Sequence, residues 1–130
     1  MPSRKPLPIN QIKLCMDLGI NLNRGFEEAC YHGNSKIINL LHKYCNPNYE
    51  NSIINACYSG NLELVQYLEQ FSSITNTNLA FFNACYSNNY ELINYILNKG
   101  VSNINIGLHG TFTTGNFELF KYFFNFVTQP

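Results

Sequence analysis

Tryptophan is absent and charge is scarce: eight Lys or Arg, eight Asp or Glu and a net charge of zero in 130 residues. A chain without a clustered basic excess lacks the electrostatic footprint of a nucleic-acid or membrane-surface protein. Its one basic cluster, Arg4-Lys5 in MPSRKPLP, is too short to weigh, and residues 1–6 read as a flexible leader. No apolar run approaches the roughly 18 residues that span a bilayer. The N-terminus also lacks the apolar stretch of a signal peptide. These absences predict an intracellular, cytoplasmic chain with neither nucleic acid nor membrane as partner.

Signatures of catalysis are missing as well. There is no G-x-S-x-G, Gly-rich phosphate loop, H-E-x-x-H or paired-carboxylate arrangement. The histidines are His32, His42 and His109. Cys30 and His32 stand two apart on an expected helix and so do not face each other, which argues against a thiol nucleophile with its base. His42-x-x-Cys45 and Cys30-x-His32 offer zinc-ligand types, yet no C-x-x-C pair accompanies them. The expectation is a non-enzymatic chain with no catalytic residue, no cofactor and no metal; a zinc-binding or cysteine-dependent enzyme is the minor alternative.

What the sequence does contain is repetition. ACYSGNLELVQYL at 56–68 recurs as ACYSNNYELINYI at 84–96, and more loosely as ACYHGNSKIINLL at 29–41 and TFTTGNFELFKYF at 111–123. Aligned on Asn34, Asn61, Asn89 and Asn116, the copies step by 27, 28 and 27 residues. A fixed period of about 20–50 residues signals a stacked array. Each copy reads as two short helices. The first carries Ala29-Cys30, Ala56-Cys57 or Ala84-Cys85, small residues that let neighbouring backbones approach. Gly33, Gly60, Asn88 and Gly115 follow, the two residue types that tolerate a left-handed helix end.

The registered asparagine is then a favoured N-cap for the second helix. Glu63, Glu91 and Glu118 lie in the first turn, where the helix dipole favours acids, and Lys36 breaks this in the first copy. The second helices are expected to bury Ile37, Ile38 and Leu41; Leu64, Val65 and Leu68; Leu92, Ile93 and Ile96; and Leu119, Phe120 and Phe123. A unit with one apolar face cannot bury it alone, so units stack. Stacking sets Cys30, Cys57 and Cys85 roughly 8–10 Å apart, beyond the Cα limit of about 7 Å for a disulfide. They read as buried thiols.

A-C-Y-S-G-N-L-E-L-V resembles the ankyrin-repeat core A-A-x-x-G-H-x-E-V-V, with Cys at the second Ala and Asn at the His. IKLCMDLGINLN, residues 12–23, is similar to that family's second helix and following loop. The resemblance implies an all-α ankyrin-like solenoid over residues 7–130: a half repeat at 7–23, then repeats at about 24–50, 51–78, 79–105 and 106–130. Two departures stand out. The T-P-L-H entry survives only as Leu108-His109, so its bracing hydrogen bonds are lost. The period is also about six short of the usual ankyrin figure of roughly 33, which predicts truncated fingers and little β-structure. This asparagine-rich style is similar to ankyrin proteins encoded by large DNA viruses of amoebae.

Ankyrin arrays are, by resemblance, protein-binding scaffolds, so the implied partner is an unknown protein, with a host protein among the candidates. Short fingers shift contact to the groove side of the first helices: Tyr31-His32, Tyr58-Ser59, Tyr86-Ser87 and Thr113-Thr114. Three tyrosines at one-repeat spacing form a ladder that serves either a partner or the adjacent repeat. The terminal FELFKYFFNFVTQP puts six aromatics on one helix, more than one face can bury. Exposed Phe124 and Phe126 would then support homo-oligomerisation, and a self-associating structural fragment is the alternative to the partner-binding scaffold.

Overall fold

A computed structural model describes residues 8–128, with side chains from Asn10 to Asn125. The proposed leader and the Phe126 side chain lie outside the described residues. The described chain is helical without a strand: α1 (Pro8–Asp17), α2 (Leu22–His32), α3 (Ser35–His42), α4 (Tyr49–Ser59), α5 (Leu62–Leu68), α6 (Thr77–Ser87), α7 (Tyr90–Leu97), α8 (Asn105–Thr114) and α9 (Phe117–Thr128). Helices α2, α4, α6 and α8 pack side by side, and each folds back on the helix that follows it. The architecture is the expected all-α solenoid, with short turns where longer repeats carry β-fingers.

Asparagine sets the helix starts. Asn34, Asn61, Asn89 and Asn116 each accept, through Oδ1, the N–H three residues on, at 3.0–3.2 Å. Each such bond satisfies an orphan N–H of the first turn. A second capping column, which the register analysis did not single out, begins the first helices: Asn21, Asn48 and Asn76 accept from Arg24, Asn51 and Leu79. The signal was there, since these residues also step by 27 and 28. First helices end left-handed, at φ 74° in Gly60 and at φ 60° in Asn88, where asparagine takes the place of glycine.

Asparagine also joins unit to unit. Asn55 Nδ2 donates to the Glu27 carbonyl at 2.9 Å, and Asn83 Nδ2 donates to the Ile54 carbonyl at 3.0 Å. Asn89 Nδ2 donates to the Gly60 carbonyl at 2.6 Å, and Asn116 Nδ2 donates to Asn88 Oδ1 at 3.0 Å. At the fourth unit the Asn55/Asn83 register holds Gly110 instead. There the backbones close up: a Cβ on Gly110 would lie 3.0 Å from Cys85 Cβ, and one on Gly107 only 2.9 Å from Phe81 Cζ. Bracing that the T-P-L-H entry would have supplied comes from other side chains. Asn23 Oδ1 accepts the Asn46 N–H at 2.9 Å, Asn78 Nδ2 donates to Ser102 Oγ at 2.9 Å, and Thr75 donates to Glu50.

The core runs the length of the stack. Phe26, Ile53 and Phe81 form one buried column, Cys30, Cys57 and Cys85 a second, and Leu41, Leu68, Ile96 and Phe123 a third. Each large apolar side chain so buried contributes about 1.5–3 kcal/mol. Two of the twelve apolar residues expected inside are not: Ile37 is 40% exposed and Phe120 only partly buried. The reason is their place at the two ends. Leu64, Leu92 and Leu119 are buried in the column that starts with Ile37, so this column faces the preceding unit. Before Ile37 the described chain has only the single helix α1 in place of a full pair. Ile38, Val65 and Ile93 are buried in the column that ends with Phe120, which faces the following unit.

Candidate functional site

Tyr31, Tyr58 and Tyr86 lie at the ends of the first helices α2, α4 and α6, two residues before the left-handed caps. Because α2, α4 and α6 pack in order, the one-unit sequence step becomes a physical column. Tyr31 and Tyr58 stack with centroids 4.2 Å apart and planes 9° apart; Tyr58 and Tyr86 stack at 4.9 Å and 20°. Tyr31 is 38% exposed, and Tyr58 and Tyr86 are half-buried. Stacking hides ring faces and leaves edges and hydroxyls outward, the amphipathic presentation that makes tyrosine useful at interfaces. The hydroxyls are also linked: hydrogen bonding to Tyr31 pushes the Tyr58 phenol above its ordinary value, and Tyr58 does the same to Tyr86.

His32 stands edge-on to Tyr31 at 5.1 Å. Ser59 Oγ donates to the Ala56 carbonyl at 2.9 Å and Ser87 Oγ to the Ala84 carbonyl at 2.6 Å. Thr113 and Thr114 donate likewise to the His109 and Gly110 carbonyls. These four hydroxyls keep only acceptor capacity for an outside group. Thr113 occupies the fourth ladder register without a ring, so the column ends at Tyr86. Beside the ladder, His32, Ser59 and Gly60 border a polar depression of about 590 Å³ that also takes in Gln66, Glu63 and Glu91. Two carboxylates and no lysine or arginine line this depression, which makes it acidic.

A second tyrosine column escaped the sequence reading. Tyr67, Tyr95 and Tyr122 sit at one register of α5, α7 and α9, at steps of 28 and 27. Each reaches the preceding unit through its hydroxyl: Tyr67 shares a 2.6 Å hydrogen bond with His42 Nδ1, Tyr95 donates to Glu69 at 2.5 Å, and Tyr122 donates to Asn94 Oδ1 at 2.9 Å. Lys99 Nζ pairs with the same Glu69 at 2.7 Å. This set is as periodic in the sequence as the A-C-Y tyrosines. Its hydroxyls engage His42, Glu69 and Asn94, whereas the rings and hydroxyls of the first ladder engage one another.

Of the candidate ligands and nucleophiles, His42 and Cys30 are held within the stack. His42 Nε2 shares a 2.9 Å hydrogen bond with the Tyr49 hydroxyl, so tyrosines engage both ring nitrogens. Burial pushes the thiols of Cys30, Cys57 and Cys85 up to about 12, which suppresses the reactive thiolate. All five cysteines are free, and no group of three metal-ligating side chains gathers among the described residues. No helix among them is long and apolar enough to cross a membrane. Phe124, proposed from the sequence as exposed, is 51% exposed and stacks on Phe120 at 5.9 Å.

A family model described as Ankyrin repeats (3 copies) matches residues 26–107, more than half of the chain. Among curated proteins and among solved structures, nothing matches. The matched span holds the three A-C-Y copies and their stacked tyrosines; the single helix α1 precedes it, and the pair α8 and α9 completes the described stack after it. The chain belongs to the ankyrin-repeat family.

Proposed function

We propose that this chain is a non-enzymatic interaction module that holds a protein partner on the groove side of its first helices. Ankyrin repeats are in general protein–protein interaction modules, and the finer assignment here rests on the tyrosine ladder. Three rings in one column offer a large preorganised contact at low entropic cost, with Ser59, Ser87 and the Glu63 and Glu91 carboxylates as acceptors alongside. The matching partner is a protein segment that brings planar or apolar side chains to the ladder and donors to the acidic depression.

The test is affinity capture from cytosol with the wild-type chain, followed by affinity measurements on the recovered partner with Tyr58→Ala and with the Tyr31/Tyr58/Tyr86 triple alanine variant. An anchor of about 2 kcal/mol predicts a loss of roughly thirtyfold for Tyr58→Ala, with melting lowered by only a few degrees. Melting that falls sharply while the folded fraction binds as before would make the rings packing residues and refute the reading.

A further inference from the structure

Two columns of the stack face the following unit. In the first, Cys30, Cys57 and Cys85 are fully buried; Cys85 lies where a Cβ on Gly110 of the next first helix would come within 3.0 Å. The fourth member of that column is Phe112, which is 65% exposed. In the second, Ile38, Val65 and Ile93 are buried and the fourth member is Phe120. Both columns thus end in phenylalanine on one open face. Phe112 lies 5.7 Å from Phe120, which stacks with Phe117 at 6.4 Å, and Phe117 is 64% exposed. A cleft of about 370 Å³ opens between these rings, floored by Thr111, Gly115 and Asn116.

The residues also say what does not belong there. Another unit of the same kind would set its first helix against this column, whose buried members are small cysteines, and the Phe112 ring holds a neighbouring backbone away. Stacking head to tail on a second chain would set Glu28, the register equivalent of Gly110, opposite Phe112. Glu28 pairs with Arg24 at 3.3 Å, both highly exposed, and burying that pair against rings is unfavourable. A face that carries both projecting rings and a cleft can instead pair with itself about a two-fold axis. Charge permits it: Glu118 and Lys121 at the rim pair with each other at 3.5 Å, and Lys121 lies 4.8 Å over the Phe117 ring. We propose that this end face, centred on Phe112, Phe117 and Phe120, is an isologous interface with a second copy of the chain.

The proposal is independent of the groove reading, and sedimentation velocity across a wide concentration range tests it. The wild type is expected to pass from monomer to a limiting dimer. Phe112→Ser with Phe117→Ser changes only exposed rings, and each change counts twice across the axis. The association constant should fall at least about a hundredfold, with the circular dichroism spectrum preserved. Leu18→Ser, at a 68% exposed site on the opposite end, should leave the dimer intact. Isotope-filtered NOEs between labelled and unlabelled wild-type copies should join Phe112 to the aromatic protons of its mate, a readout that does not depend on any variant folding. A wild type monomeric at every concentration overturns the proposal. So do oligomers that grow without limit and are stopped by Leu18→Ser, or a dimer that survives the double change.

Discussion

Asparagine at the registered cap does one job at the start of the stack and two further along, and substitution can separate them. Among the described residues, Asn34 makes only its cap, a 3.2 Å bond from the Ile37 N–H. Asn89 makes the same cap to Leu92 and also donates to the Gly60 carbonyl of the preceding unit at 2.6 Å. Losing a cap costs about 1 kcal/mol, and a further hydrogen bond adds about 1 kcal/mol. Asn34→Ala should therefore destabilise by about 1 kcal/mol and Asn89→Ala by about 2 kcal/mol. Aspartate retains the capping oxygen, and its charge suits a helix start. Asn34→Asp should be neutral or slightly stabilising. At position 89, however, aspartate removes the donor and sets a carboxylate against the Gly60 carbonyl, so Asn89→Asp should still cost about 1 kcal/mol or more. Urea unfolding at neutral pH measures all four. Far-ultraviolet circular dichroism and tyrosine fluorescence, which no tryptophan obscures, together check that the array unfolds as one unit. Equal costs for the two aspartate variants, within about 0.3 kcal/mol, would refute the claim that asparagine stitches neighbouring units.

Glycine to alanine should change sign along the stack. In α2, a Cβ on Gly25 would meet only Leu41 Cδ1 at 3.6 Å, so Gly25→Ala should gain about 0.5–1 kcal/mol of helix propensity. In α8, a Cβ on Gly107 would lie 2.9 Å from Phe81 Cζ and 3.0 Å from Phe123 Cε2, both rings fully buried. Overpacking of about 1–3 kcal/mol there should outweigh the propensity gain and lower the melting temperature. Alkaline pH supplies the remaining prediction. Cys30, Cys57 and Cys85 ionise near 9.0 when exposed, but burial raises them to about 12 in the folded chain. Above pH 9 the unfolded chain gives up protons that the folded chain keeps, so this stabilisation is complete below pH 9 and is lost as pH rises toward 12. The three together set a slope of up to about −4 kcal/mol per pH unit. A triple Cys→Ala variant should flatten the decline of the urea midpoint between those limits; an unchanged slope would show that the thiols do not govern it.

Most of the fold was legible because its signals are local and repeat. Small residues before a left-handed cap, a capping asparagine and an acidic first turn each depend only on residues within a few positions, and all recur at steps of 27 or 28. The truncated period likewise foretold short turns. The groove tyrosines were legible as a column but not as a stack, because ring planes 9° and 20° apart depend on how closely α2, α4 and α6 approach. Tyr67, Tyr95 and Tyr122 were overlooked although their spacing is just as regular, since hydroxyl partners such as Glu69 and Asn94 lie a whole unit away.

By itself, the sequence determined that helical hairpins would form and that each would need neighbours. Only the tertiary structure decided which side of each hairpin meets which neighbour. Ile37 and Ile38 are adjacent and equally apolar, yet one is 40% exposed and the other 2%, because they face the preceding and following units respectively. The same polarity turns one cysteine column into an open phenylalanine at Phe112. Local chemistry is written in every copy, but exposure depends on which copies flank it, and that is a property of the stack.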